Sequence, residues 1–304
     1  MFWLGMALAY FVFPSHVPLL TQVLISGLFA MSLDLLLGYA GVASLGHAVF
    51  FGLGAYAAGI LAQKGLGDPT LGLLVGALLA ATAGFVASLL VTRVQGVALL
   101  MVTLGIALLC VEVANRLKDL TGGEDGLQGI EMLPVLGLFQ FDFTGRTAFV
   151  YAFVVSFALY VLTRIVVRSS FGLSLEAIRE NGRRAAAIGI PNRRRIRTCW
   201  TISAAMAGIA GVLFAQCTQY VALEALSFDR SVSALIMAVL GGIGTLLGGF
   251  IGSAVYTVAR DYLSALNPSY WNFWLGLFLF IIVSLGRGGL LGGLRRLRRP
   301  KFTR

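Results

Sequence analysis

The sequence predicts an all-α polytopic membrane protein of about ten transmembrane helices, with nine as the alternative count, and one glycine-rich segment that is broken or re-entrant. Three observations predict it. The chain is 58% hydrophobic and only 12% charged, against about 25% charged residues in soluble domains. Its apolar residues come in long stretches, most of them near the ~20 residues that cross a bilayer as a helix. Its basic residues gather in two places, as cytoplasmic loops do. The net charge of +10 therefore reports orientation, and no nucleic-acid partner is expected.

The apolar stretches run over 2–13, 19–37, 47–62, 71–92, 97–117, 147–163, 198–215, 231–247, 249–266 and 271–286. The first is short, and Pro14 ends it. It has no basic residue ahead of its apolar run and no clear cleavage site, so a short first helix is expected rather than a secretory signal. The next stretch leads into LLLGYAGVASLGHAVFFGLGAYAAG at 35–59. In water, that much glycine would weaken a helix by about 1 kcal/mol per residue relative to alanine. In a membrane, small residues let helices approach closely, which accounts well for Gly244, Gly248 and Gly252 in GGIGTLLGGFIG. It accounts less well for GYAGVASLGH, where Gly38, Gly41, Ser44 and Gly46 fall between two apolar runs. A broken helix fits that pattern better. Its free backbone lines a cavity, and its amides are suited to a carboxylate. Two placements fit: a loop dipping in from the cytoplasmic side, or an interruption at mid-membrane.

Asp34, in SLDLLLG, is ionisable inside an apolar helix. Such groups face a bundle interior or water. A role in a transport path and a structural hydrogen bond to a neighbouring helix both suit it. The candidate path residues are Asp34, Gly38, Tyr39, Gly41, Ser44, Gly46 and His47. Glu112 and Arg116 stand four apart and read as a simple i,i+4 pair. Residues 118–146, with TGGEDG, form the long outer loop.

Residues 164–197 carry Arg164, Arg168, Arg179, Arg183, Arg184, Arg193, Arg194, Arg195 and Arg197. The tail carries Arg287, Arg295, Arg296, Arg298, Arg299, Lys301 and Arg304. Both belong on the cytoplasmic side. An even number of apolar stretches separates them, and counting back places Arg93 and the N-terminus inside as well. Lys64, Arg116, Lys118, Arg146, Arg230 and Arg260 fall elsewhere. Asp68, Asp119, Glu124, Asp125, Glu131, Asp142, Glu224 and Asp229 lie in or beside outer loops. A basic amphipathic stretch can lie on anionic lipid. Within 168–197, however, Glu176 and Glu180 interrupt the charge, and Gly182 and Gly189-Ile190-Pro191 imply two short helices with a bend. A docking surface for a cytoplasmic partner fits that better.

None of Lys64, Lys118 and Lys301 follows glycine, so the chain has no P-loop and is not expected to hydrolyse nucleotide. It has no HExxH or G-x-S-x-G motif either, and no catalytic residue is assigned. Cys110, Cys199 and Cys217 lack CxxC spacing and read as small buried hydrophobes. With only His16 and His47 as histidines, no metal site is expected.

Four segments together resemble one family: 35–61, 102–127 (VTLGIALLCVEVANRLKDLTGGEDGL), 168–190 (RSSFGLSLEAIRENGRRAAAIGI), and 204–215 with 238–253 (AAMAGIAGVLFA, AVLGGIGTLLGGFIGS). It is the family of membrane-spanning permease subunits of ABC importers for branched-chain amino acids. The resemblance implies one permease domain over 1–304, half of a pore shared with a homologous second permease. Two ATP-binding subunits dock beneath, and a periplasmic binding protein delivers substrate to a bacterial inner membrane with both termini cytoplasmic. The chain itself then binds no cofactor, ATP being used by its partners. Residues 168–197 become the coupling segment, with Glu176, Ala177, Ile178, Arg179, Glu180 and Gly189 at matching positions. The chain departs from the family pattern at Asp34, where asparagine is usual, and at Leu108 and Val111, where glutamate and arginine are frequent. Related permeases serve urea, short amides or aromatic acids. An ion-coupled secondary transporter is the alternative of a different class, with Asp34 as its support.

Overall fold

The computed structural model describes residues 2–94, 96–134, 139–140, 145–268, 270–271 and 273–277. Most of the stretch 271–286, the basic tail, and parts of the loop 118–146, Asp142 among them, lie outside the described residues.

Each apolar stretch up to residue 266 is a helix. They are α1 (Phe2–Val12), α2 (Val17–Asp34), α3 (Ala48–Gln63), α4 (Pro69–Val91), α5 (Val97–Arg116), α7 (Arg146–Arg168), α9 (Asn192–Thr218), α10 (Phe228–Gly241) and α11 (Leu246–Leu266). Two more helices are not apolar spans: the single turn α6 (Lys118–Thr121), and α8 (Ser170–Ala187) inside the basic segment. Leu127 and Val221 form an isolated extended bridge.

Among the described residues, five helices are long and apolar enough to cross a membrane: α2 with its preceding turn and its extension, α4, α5, α7 and α9. The pair α10 and α11, bent by 111° at a short break, makes a sixth if counted as one span. The sequence reading had them as two separate spans. With 14 residues, α10 is about 21 Å long, short of the ~30 Å hydrocarbon core. Hydropathy alone carries the apolar run across the break, because glycines interrupt the backbone without interrupting the hydrophobicity.

The core forms around α2, which is buried along almost its whole length and packs on α9, α11, α7 and α10. Small residues permit this density. Along α4, Gly72, Gly76, Ala80, Gly84 and Ser88 repeat every fourth residue and are all buried. They face α9 at Gln216, Val212, Gly208 and Ala204. This is the close small-residue seam that lipid favours. The outward faces are the reverse. On α5, Leu99, Thr103, Ala107 and Ala114 turn inward, while Val97, Met101, Leu108, Leu109 and Val113 are exposed. An apolar face of that extent belongs against lipid or another subunit.

Two local details follow the sequence closely. Arg116 Nε donates to Glu112 Oε1 at 2.7 Å, the expected pair. Asp68 caps α4, accepting from the Thr70 amide and hydroxyl at 2.8 Å each. The Thr70 hydroxyl and then its amide hold the Asp68 carboxyl below the usual range. The cap's contribution is therefore present above the ordinary aspartate pKa of about 3.9 and is lost as pH falls below it. Asp68→Ala is expected to lower stability by about 1 kcal/mol, read as a fall in midpoint in detergent that vanishes at acid pH.

Candidate functional site

The break after α2 begins as a widened turn. Residues Leu35–Ala40 continue the helix with π geometry and end at Gly41, whose φ of +70° is left-handed. Wide turns of this kind recur at functional sites. The chain then runs without regular structure to His47 and restarts as α3. His47 sits beside Ser32, its Nε2 being 3.0 Å from the Ser32 hydroxyl. Ser32 lies nine residues before Gly41, so the chain climbs back about 13 Å along the helix it has just left. The connection leaves and re-enters the bundle at the end that carries α8.

The candidate path residues divide into two clusters. Ser44, Gly46 and His47 form the first. His47 is fully buried, stacks on Phe29, and lies 3.3 Å from the Ser203 hydroxyl. Ser203 in turn donates to the Ser32 carbonyl. The amides here are met within the chain: Val42 by the Leu36 carbonyl, Leu45 by Thr103 Oγ1, Gly46 by Ser44 Oγ, and Ala48 by Ser231 Oγ. The amides expected to hold a carboxylate are, at those four positions, already occupied.

Asp34, Gly38, Tyr39 and Gly41 form the second cluster, and α8 joins it. Asp34 is fully buried, and its Oδ1 accepts from the Gly244 amide at 2.8 Å. Its other oxygen is buried and meets no hydrogen-bond partner among the described residues. Arg179 Nη1 donates to the Gly38 carbonyl, and the arginine stem runs along Gly41. Residues proposed separately for the path and for coupling thus meet at one point. Tyr39 is buried in the wide turn.

The remaining coupling residues spread along α8. Ile178 is buried, Glu176 and Ala177 half-buried, and Glu180 exposed. Gly189 is exposed beyond the helix end with φ +89°, away from this cluster. The bend falls at Asn181, whose backbone is extended and whose Oδ1 accepts from the Arg184 amide to restart the helix. The basic run Arg193–Arg197, read as part of the loop, forms the first turns of α9. There Arg197 Nε donates to Thr92 Oγ1 at 3.3 Å.

Sequence reasoning missed Gly244. It was assigned to a packing stripe, and Gly248 and Gly252 do face α10 at Gly241 and Met237. Gly244 instead turns the backbone at φ +78° between α10 and α11 and presents its amide to Asp34. Its partner is 210 positions away in the chain, so no local signal pointed to it. These two helix breaks are therefore tied to each other by the Asp34 carboxyl and to α8 by the Arg179 guanidinium.

Comparison with known proteins assigns the family. The family model described as branched-chain amino acid transport system / permease component matches residues 16–283. The high-affinity branched-chain amino acid transport system permease protein LivM of Escherichia coli is 29% identical over 311 aligned positions, covering 95% of this chain and 72% of LivM. BraD of Pseudomonas aeruginosa, named for the same kind of system, is 28% identical over 292, covering 87% of this chain and 91% of BraD. LivH of Salmonella typhimurium is 33% identical over 136, covering 44% of each chain. No solved structure matches. The chain belongs to the family of permease components of branched-chain amino acid transport systems.

Proposed function

We propose that this chain is one permease subunit of an ATP-driven importer for branched-chain or other hydrophobic amino acids, seated in a bacterial inner membrane. The observation that carries the reading is the family match over nearly the whole chain, and the kinship extends to both LivM and LivH. A homologous second permease completes the pore, two ATP-binding subunits supply the energy, and a periplasmic protein delivers the substrate. A cytoplasmic position for the arginine-rich 164–197 segment follows from the inside bias of basic residues. On this reading α8 is the coupling segment, and the Arg179 contact to Gly38 gives it a direct mechanical grip on the broken helix.

Such an arrangement moves substrate by biasing a bistable element. A shift of α8 acts on the wide turn through Arg179, and on the α10–α11 break through Asp34 and Gly244. Catalysis by this chain is not needed, since the chemistry resides in the ATP-binding partners.

Co-purification with an ATP-binding subunit, and uptake that requires ATP, test the assignment. Leucine uptake by this chain alone in liposomes, driven only by an ion gradient, would overturn it. Asp34 separates the two mechanisms further. Asp34→Asn keeps an oxygen to accept the Gly244 amide and is expected to retain most uptake. Asp34→Leu removes the acceptor and is expected to lower uptake at least about tenfold. Equal, complete loss in both would mean that a titrating carboxyl carries transport.

A further inference from the structure

A second polar feature lies away from the Asp34 cluster. A cavity of about 540 Å³ opens among α2, α10, α11 and the start of the segment beyond α11. Its walls hold two bases and two acids, Arg230, Arg260, Glu224 and Asp229. Phe29, Ile236, Met237 and Leu275 form its apolar part, with Gln22, Ser26 and Ser233 as neutral hydrogen-bonding groups.

Arg230 is the distinctive member. It is half-buried in the first turn of α10, where Ser227 Oγ accepts its backbone amide. Its guanidinium lies over a pair of rings that contact each other, 4.8 Å from Phe51 and 4.7 Å from Phe214. Both rings lie within cation–π range of the group, which carries five N–H donors. Among the described residues those donors meet no hydrogen-bond or ion-pair acceptor, so the flat edge is available to a ligand. Arg260 lies likewise over the Trp271 ring at 5.3 Å.

A cation this deep in an apolar bundle is costly unless something answers its charge. A carboxylate matches the guanidinium fork in shape and charge. Glu224 and Asp229 on the same wall supply acceptors for an ammonium, and the apolar part takes an aliphatic side chain. We propose that this cavity is a binding site for a zwitterionic α-amino acid with an apolar side chain, with Arg230 holding its carboxylate. The inference rests on the transport reading for its purpose but stands on its own geometry.

Saturation-transfer NMR on the purified full chain in lipid nanodiscs tests it, with L-leucine, L-leucinamide and 4-methylvalerate as probes. Leucine is expected to bind, and leucinamide, which lacks the carboxylate, at least about tenfold more weakly. Arg230→Gln is expected to weaken leucine by a similar factor, whereas Arg230→Lys, which keeps a cation over both rings, retains part of it. Should Arg230→Gln misfold, Glu224→Gln with Asp229→Asn carries the test. That pair is expected to weaken leucine and leave 4-methylvalerate unchanged. The site is overturned by leucinamide binding as well as leucine, by unaltered leucine binding in folded Arg230→Gln, or by no saturable leucine signal from the wild-type chain. ATP-driven uptake by the full transporter is a separate arm. Its absence alongside Arg230-dependent leucine binding would fell the transport reading and leave the site standing.

Discussion

Replacing Glu176 and Arg179 together with alanine is expected to cut uptake about 100-fold while ATP hydrolysis by the assembled transporter continues. The effect is large because one side chain bridges two elements. Arg179 donates to the Gly38 carbonyl from α8, and its stem packs on Gly41. Hydrogen bonds to charged groups contribute about 1.5–3 kcal/mol each, and a tenfold change corresponds to about 1.4 kcal/mol. Removing the arginine frees the wide turn from α8, while Glu176, one turn earlier on the same helix, is half-buried. The check is labelled-leucine uptake in inverted or reconstituted vesicles, measured beside the ATPase rate and the amount of subunit in the membrane. Normal uptake in the double variant would refute the coupling role of α8.

The second large effect is expected at Gly38. A Cβ there would stand 2.5 Å from Asp34 Oδ1 and 2.5 Å from the Gly244 amide nitrogen, too close for either to stay. Gly38→Val wedges apart the carboxylate and the amide it accepts, and separates the two breaks. Overpacking of this kind costs about 1–3 kcal/mol, and here the strain falls on the hydrogen bond that joins α2 to the α10–α11 break. Uptake is expected to be lost, with a lower thermal midpoint in detergent. Gly105→Ala is the matched control, because a Cβ at that helical position meets nothing within 4 Å. Equal behaviour of the two variants would show that the Gly38 contact is unimportant.

Helices were legible in the sequence because lipid-facing and core-facing residues alike are apolar, and apolar length is easy to read. The break at Gly38–His47 was also legible, since glycine and serine cluster there between apolar runs. What serves the backbone in that break was not. Thr103 and Ser231, which satisfy the amides of Leu45 and Ala48, are isolated polar residues in distant helices and look like any membrane serine or threonine. Gly244 failed for a related reason: a glycine that packs and a glycine that turns are written with the same letter. Arg230 was noticed only as a charge away from the cytoplasmic clusters, because its two aromatic neighbours come from α3 and α9. The seam of small residues on α4 was present as a strict four-residue repeat, and a periodicity count over that stretch would have found it.

The bridge between Leu127 and Val221 has a mechanical consequence. The Leu127 amide donates to the Val221 carbonyl at 2.7 Å, and the Val221 amide returns a bond to Leu127 at 3.3 Å. The bridge stitches the stretch following α6 to the stretch following α9, and Tyr220 adds a bond to the Asp125 carbonyl. Both side chains of the bridge are buried. These two connections are therefore held to each other, which ties the chain leaving α5 to the chain that joins α9 to α10.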